Sequence, residues 1–350
     1  MLAKAYREIL QNTGNPDQIF YAQRMSLEDG RADRLKIIDV DNANGLHFWI
    51  LPGRYMDIGR LSFRGMNVSF LSKAGFSNAA FYESAGMNGI HTFAPGFLTT
   101  CGLRNSGLPC TVGNESFGFH GQIGQTPADT VSIQYDMDRP RPCIRISGRT
   151  REGWLFGPNL ELNRIITIFY GENEIHIEDS ITNLAATPEP IMMLYHFNFG
   201  YPFLSERSRF VTSHRYEKPV NDFARQREDQ KSSFSAPIPN EPESCFYYRQ
   251  QRNLNQESFA GCISKDLSFA VMICSDPEEL PLLCNWHSRV AGDYAMGIEP
   301  ATCYGDGREE HLKRGQLITL EPYEKRVHHL TVRFLDLDSD ALWLKENCDI

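Results

Sequence analysis

A period of two runs through most of this chain. LKIIDV at 35–40, LHFWIL at 46–51, TVSIQY at 130–135, CIRIS at 143–147, IHIEDSI at 175–181, FAVMIC at 269–274 and VHHLTVRFL at 327–335 are β-branched and aromatic runs. Clusters of Gly, Pro, Asn and Asp separate them. Alternation sends successive side chains to opposite faces of a strand, so each run reads as a half-buried strand between turns. RIITIFYGENEIHIEDSI reads as a hairpin turning at GEN, 171–173. Helical patterns are confined to residues 2–11, a short stretch around 307–313 and a tail at 339–347. Strands that recur without helices between them predict an all-β fold, one large antiparallel β-sandwich, rather than a parallel α/β sheet. The most polar segment, 216–243, reads as a long excursion between strand-rich blocks.

Composition narrows the function classes. The formal net charge of −9, with no clustered Lys/Arg face, argues against a nucleic-acid partner. The longest apolar runs are far too short to cross a bilayer, so no membrane partner is expected. MLAKAYREILQNTGN mixes charges from its fourth residue and lacks the apolar segment of a signal peptide. The nine cysteines show no CxxC and no metal-type spacing. They read as reduced, mostly buried thiols of a cytoplasmic protein. No HExxH, GxSxG elbow or GxGxxG in a strand–helix context is present, and no metal or organic cofactor is expected. His328 and His329 are adjacent, so they point to opposite faces of a strand.

Four stretches carry candidate chemistry. LPGRYMDIGRLSFRG at 51–65 gathers Arg54, Asp57, Arg60 and Arg64, either a solvated turn or a polar wall whose fixed donors and acceptors select hydroxyls. His120 lies in a glycine-rich loop, FGFHGQIGQTPA at 117–128, where a site is more usual than in a strand. In LYHFNFGYP at 194–202, alternation puts His196, Asn198 and Gly200 on one face and Tyr195, Phe197 and Phe199 on the other. The aromatic face suits a core, which turns His196 and Asn198 away from it. In NWHSRVAGDYAMGIEPAT at 285–302, Glu299 ends an apolar run before a proline. A carboxylate in such surroundings has a raised pKa and can act as a base. Trp286 offers a flat surface suited to a sugar ring. A pair of catalytic carboxylates, as in glycosidases, stays open at this stage.

The order GFLTTCGL, HG, LYHFNFGYP, GIEPAT resembles the aldose 1-epimerase (galactose mutarotase-like) superfamily, and most of all its less characterised aldose-epimerase-like branch. The resemblance runs from about residue 35 to about 335. It divides the chain into a lead-in with a helix at 1–34, a β-sandwich domain at 35–335 and a tail at 336–350. It implies interconversion of the α and β anomers of a free sugar without a cofactor. His196 then matches the general acid toward the ring oxygen, and Glu299 the base that takes the anomeric hydroxyl proton. His120 matches a histidine that binds or polarises the sugar, with Arg54, Asp57, Arg60, Asn198 and Trp286 as further substrate-binding candidates. Three departures stand out. QIGQ follows His120-Gly121 where many relatives carry an arginine, Arg104-Asn105 reverses a common Asn-Arg pair, and 51–60 is unusually rich in Arg and Asp. They point to a wall rebuilt for another sugar, an acidic or modified one that meets Arg54, Arg60 or Arg64. The alternatives are a non-catalytic sugar-binding protein on the same scaffold and, less favoured, a polysaccharide lyase or hydrolase. The oligomeric state stays open, a homodimer being one option.

Overall fold

Residues 4–348 are described by the computed structural model. Two antiparallel sheets face each other. The larger has twelve strands. Its main path runs through Phe20–Ser26, Lys36–Asn42, Leu46–Leu51, Asp57–Phe63, Leu98–Leu103, Glu189–Gly200, Ala295–Ala301, Leu282–Ser288, Ser244–Arg249 and Arg215–Pro219. The second has eight, in the order Ser208–Thr212, Phe259–Ser264, Phe269–Ser275, Lys325–Asp336, Glu174–Asn183, Asn159–Phe169, Cys143–Gly153 and Asp129–Asp136. The all-β sandwich is therefore the observed fold, and the hairpin at 171–173 is present, with Gly171 in the left-handed region at φ 71°.

Between the sheets the alternating apolar residues meet in one continuous core. Phe97 packs edge-on to Phe197 and Phe199, each at 5.6 Å, and Phe63 packs on Phe269 at 5.1 Å. Each such aromatic removed from water contributes about 1.5–3 kcal/mol. One polar assembly crosses this core. Arg164, fully buried on the second sheet, donates from Nε and Nη2 to Asp179 at 2.8 and 2.7 Å. It reaches over to the larger sheet, donating from Nη1 to Asp57 at 3.0 Å and from Nη2 to the Thr100 hydroxyl at 2.9 Å. The Tyr55 ring covers the guanidinium at 4.4 Å. Burial pushes the Asp57 carboxyl up to about 6, against the pull of Arg164. Removing one partner of such a buried pair leaves an uncompensated charge and costs about 3–5 kcal/mol.

The ends of the chain join the sandwich. The strand Phe20–Ser26, inside the 1–34 lead-in, pairs with Lys36–Asn42, so the sheet begins upstream of residue 35. The expected N-terminal helix occupies Lys4–Asn12, residues 2 and 3 lying outside the described residues. The C-terminal helix Ala341–Cys348 packs Leu344 with Phe259 and Met272. The polar excursion reaches both faces of the larger sheet: its last residue, Glu243, accepts the Trp286 indole N–H on the outer one. It carries the short helix Asp222–Gln226, and it inserts Phe234 beside His287, ring centroids 4.8 Å apart. His328 is fully buried and His329 exposed, as their adjacency in a strand requires. Among the described residues, no helix is long and apolar enough to cross a membrane.

Candidate active site

The central strands of the larger sheet come from distant parts of the sequence. Glu189–Gly200 lies between Leu98–Leu103 and Ala295–Ala301. Its register sets Leu194 opposite Ala301 and Asn198 opposite Gly297, which places His196 opposite Glu299. Their side chains meet on the outer face, with His196 Nε2 3.2 Å from Glu299 Oε1. Both residues are only 5% exposed. Tyr195, Phe197 and Phe199 point the other way, into the core. The outer face is not an open polar surface, however. The whole of residues 191–200 is buried, because loops and neighbouring strands cover it.

Rings wall the pair. Phe93, from the long irregular stretch before Leu98, packs edge-on to His196 at 5.9 Å. Trp286, half-buried on the strand Leu282–Ser288, does the same at 5.8 Å and donates its indole N–H to Glu243 at 2.8 Å. His120 stands perpendicular to His196, centroids 5.7 Å apart, and stacks flat on Phe93 at 5.6 Å. It holds a left-handed backbone, φ 59°, that few non-glycine residues adopt. Hydrogen bonds on both sides hold it there: its N–H donates to the Gly107 carbonyl at 2.8 Å, and its carbonyl accepts from Gly102 at 3.1 Å. The Gly107 N–H donates to His120 Nδ1 at 3.2 Å, which sets the ring proton on Nε2. Beneath Glu299 lies an apolar cluster that includes Cys101, Leu194, Cys284 and Tyr247, the last stacked on Tyr304 at 3.9 Å.

Burial decides the charge states. It pushes the Glu299 carboxyl up to about 8, with help from the Glu243 charge. It holds His196 well below the usual imidazole range, His120 adding to the effect, and brings His120 down to about 4. At neutral pH the contact therefore joins a neutral imidazole to a protonated carboxyl. Its tautomer is carboxylate and imidazolium, so the pair titrates as a unit holding one transferable proton. His196 Nδ1, Glu299 Oε1 and Asn198 Oδ1 are buried and none makes a well-formed hydrogen bond: Glu299 Oε1 has only the 3.2 Å contact from His196 Nε2, and the Asn198 side chain draws the His196 pKa slightly upward. Asn198 Nδ2 donates to the His196 carbonyl at 2.6 Å. Unpaired buried polar atoms each cost about 1–3 kcal/mol. Their clustering at one spot marks a place where a polar ligand completes the bonding.

The basic and acidic residues of 51–65 are not brought here. Arg54 is buried and donates to the Thr92 carbonyl at 2.8 Å, bracing the backbone beside Phe93. Asp57 belongs to the inter-sheet assembly around Arg164. Arg60 is exposed over the Trp49 ring at 5.2 Å, and Arg64 pairs with Asp336. The idea of an arginine wall meeting an acidic sugar is thus withdrawn, because Arg60 and Arg64 have other partners and Arg54, whose Nη1 alone is unpaired, is turned to the Thr92 carbonyl. Three residues at the site escaped the sequence reading: Phe93, Glu243 and Gly297. Gly297 lies two residues before Glu299 on the same face, and a Cβ there would stand 2.5 Å from Glu299 Oε1 and 2.8 Å from His196 Cε1. Alternation along the strand could have found it, since Gly297 and Glu299 share a face. Gly297→Ala is expected to destabilise the fold by about 1–3 kcal/mol through overpacking and to break the His196–Glu299 contact. Thermal unfolding checks the first effect, and a wild-type melting temperature would refute it.

The comparisons with known proteins agree with the fold. A Klebsiella pneumoniae structure, whose name proposes an aldose 1-epimerase, shares 25% identity over 93% of this chain and 86% of its own, with a TM-score of 0.86. A galactose mutarotase-like protein from Clostridium acetobutylicum has TM-score 0.64 at 16% identity, covering 91% of this chain and 99% of that one. Galactose 1-epimerase from Lactobacillus acidophilus has TM-score 0.58 at 14% identity, with coverages of 91% and 99%. No curated protein matches the sequence. One family model matches residues 33–334 and is described as a domain of unknown function, DUF4432. On a match spanning most of its length, and with a galactose mutarotase-like fold, the chain belongs to the DUF4432 family.

Proposed function

We propose that this chain interconverts the α and β anomers of a free sugar by opening and reclosing its ring. The observation that carries the reading is the convergence of His196 and Glu299, from different strands, at 3.2 Å beside unpaired polar atoms. In the opening step the anomeric hydroxyl gives its proton to the Glu299 carboxylate. The electrons of that O–H bond form the carbonyl, the C1–O5 bond breaks with its pair going to the ring oxygen, and His196 protonates that oxygen. Rotation about C1–C2 and the reverse transfers complete the exchange. The pair begins and ends with the same single proton, so neither a metal nor an organic cofactor enters this scheme. His120 holds the sugar near the ring oxygen, and Trp286 and Phe93 supply the ring faces. The epimerase and mutarotase names among the structural relatives point the same way.

The test is saturation-transfer NMR of anomer exchange over a panel of free sugars. At least one sugar should exchange faster with protein than in buffer alone, and a panel that shows no acceleration ends the catalytic reading. The deep burial of both groups favours one competitor, a sugar-binding protein without turnover. That competitor predicts binding that survives His196→Ala and exchange that never exceeds the buffer rate.

A further inference from the structure

The segments that build the site carry few cations. Residues 66–103, 117–125, 189–200, 241–249 and 282–301 hold Lys73, Arg249 and Arg289 as their only lysine and arginines. Each is engaged with a carboxylate. Lys73 Nζ meets Asp293 at 2.6 Å, Arg249 Nε meets Glu217 at 3.0 Å, and Arg289 Nε meets Glu241 at 3.0 Å. Two arginines that adjoin these segments are engaged as well, Arg54 on the Thr92 carbonyl and Arg104 between Glu115 and Glu189. Among the described residues of these segments, no cation is left over.

The acids of the same segments do not balance in this way. Glu189, Glu241 and Asp293 are neutralised by Arg104, Arg289 and Lys73. Glu83 is exposed and takes the Asn88 amide at 3.0 Å. Glu299 and Glu243 remain, and among the described residues neither meets a lysine or arginine. Glu243 is exposed. Its Oε2 accepts the Trp286 indole N–H at 2.8 Å, and its charge reaches the Glu299 carboxyl. Trp286 in turn stands edge-on to His196 at 5.8 Å. Glu299 holds its proton at neutral pH, which leaves Glu243 as the charge at the mouth of the site. The half-buried Trp286 ring adds to the attraction for a cation, because an aromatic face is negative. An anion that enters here loses water and gains no counter-charge. Since Glu243 is exposed, solvent and salt trim its effect to a modest factor.

We infer that this site selects a cationic reducing sugar, an amino sugar that sets its ammonium group on Glu243, over uronic acids and sugar phosphates. The reaction of that sugar rests on the proposed anomer exchange, while the charge preference is read from binding alone. With the anomeric end at His196 and Glu299 and a ring face on Trp286, a ring substituent passes the N–H edge of the indole, where Glu243 lies. Glu243 is then a specificity residue, touching the substituent and not the reacting atoms.

The experiment compares glucosamine, galactosamine and mannosamine, at pH 6 where the amine is charged, each with its parent hexose and its N-acetyl form. Saturation-transfer NMR gives kcat/KM for anomer exchange, and titration gives Kd for the same sugars. Comparison within one ring configuration removes any preference for a particular hexose. At least one amino sugar should exceed both uncharged forms by about threefold or more at low ionic strength, and the matching 6-phosphate and uronic acid should fall below the parent by a similar factor. Raising the salt to about 0.5 M should shrink these ratios. Glu243→Gln should bring them to about one, and Glu243→Lys should turn them in favour of the anions. Each ratio is read within one variant, so a general loss of rate does not imitate the effect. Amino sugars that never outdo their parents, or ratios that survive Glu243→Gln, overturn the inference while leaving anomer exchange intact. If no sugar exchanges, yet an amino sugar binds best and loses that preference in Glu243→Gln, the charge preference stands and the catalytic reading falls. If no sugar binds or exchanges, both fall.

Discussion

Glu299→Gln should slow anomer exchange by about 10²–10⁴-fold, the usual contribution of a positioned acid–base group, while making the protein more stable. The amide keeps the shape of the carboxyl but cannot take a proton from a hydroxyl. The pH profile of the wild type sharpens the test. The active pair holds one proton, and the last of it leaves as pH rises through about 8, the value to which burial pushes Glu299. Exchange should therefore hold its rate up to about pH 8 and fall beyond it. The acid limb lies below the usual imidazole range, where His196 takes a second proton. A profile that rises steadily past pH 8 would show Glu299 acting alone as a free carboxylate, against the shared-proton scheme.

The stability effect follows from the same shift. The native state holds the Glu299 proton from the unfolded value of 4.5 up to about 8, while the unfolded chain releases it. Stability from this group is thus fully present below 4.5 and is lost as pH rises toward 8. Glutamine does not titrate, so the variant should gain with rising pH, by at most about 3 kcal/mol at pH 7. Paired thermal melts at pH 5 and pH 8 read the difference. A variant no more stable than wild type at pH 8 would mean that the site is wetter than its geometry implies.

Acid should unfold this protein early. Five histidines are held neutral by burial: His120, His214 and His328 are lowered to about 4, His287 to about 3, and His196 well below its usual range. Their folded pKa values lie below the unfolded 6.5, so their contribution is intact above 6.5. It drains as pH falls toward 4, because the unfolded chain binds protons the native one refuses. Glu299, Asp57 and Glu152 act in the opposite sense, since burial raises each of them. A net uptake of about two to three protons on unfolding remains, a loss of about 3–4 kcal/mol per pH unit. Against a typical total of about 5–15 kcal/mol, that predicts unfolding within a few pH units below 6.5. Equilibrium denaturation from pH 7 to pH 4.5 measures the slope. A flat response would mean that these rings can protonate without unfolding.

The long buried strand shows where local pattern suffices. Alternation in LYHFNFGYP puts three aromatics on one face, and only a core can take them, so His196 had to emerge on the other. The apolar run AMGI likewise carries Glu299 into apolar surroundings that raise its pKa, but the proline after it does not stop the strand, which continues through Pro300 to Ala301. Local pattern failed at Arg54, Asp57 and Arg60. Tyr55 and Met56 both take positive φ, and the pairing of 46–51 with 57–63 slips by a residue. Such breaks re-aim side chains, and nothing in the spelling of RYMDIGR announces them. Asp57 turned inward because Arg164, on the opposite sheet, was there to meet it.

The amino-acid order alone determined the strand period, the all-β architecture and the face from which His196 projects, because these depend on the geometry of a few consecutive residues. Only the tertiary structure decided that His196 stands opposite Glu299, that Phe93 and Trp286 enclose them, and that Gly297 leaves the space between them empty. Those relations join strands and loops far apart in the chain. They are set by sheet order and register, which no local pattern encodes.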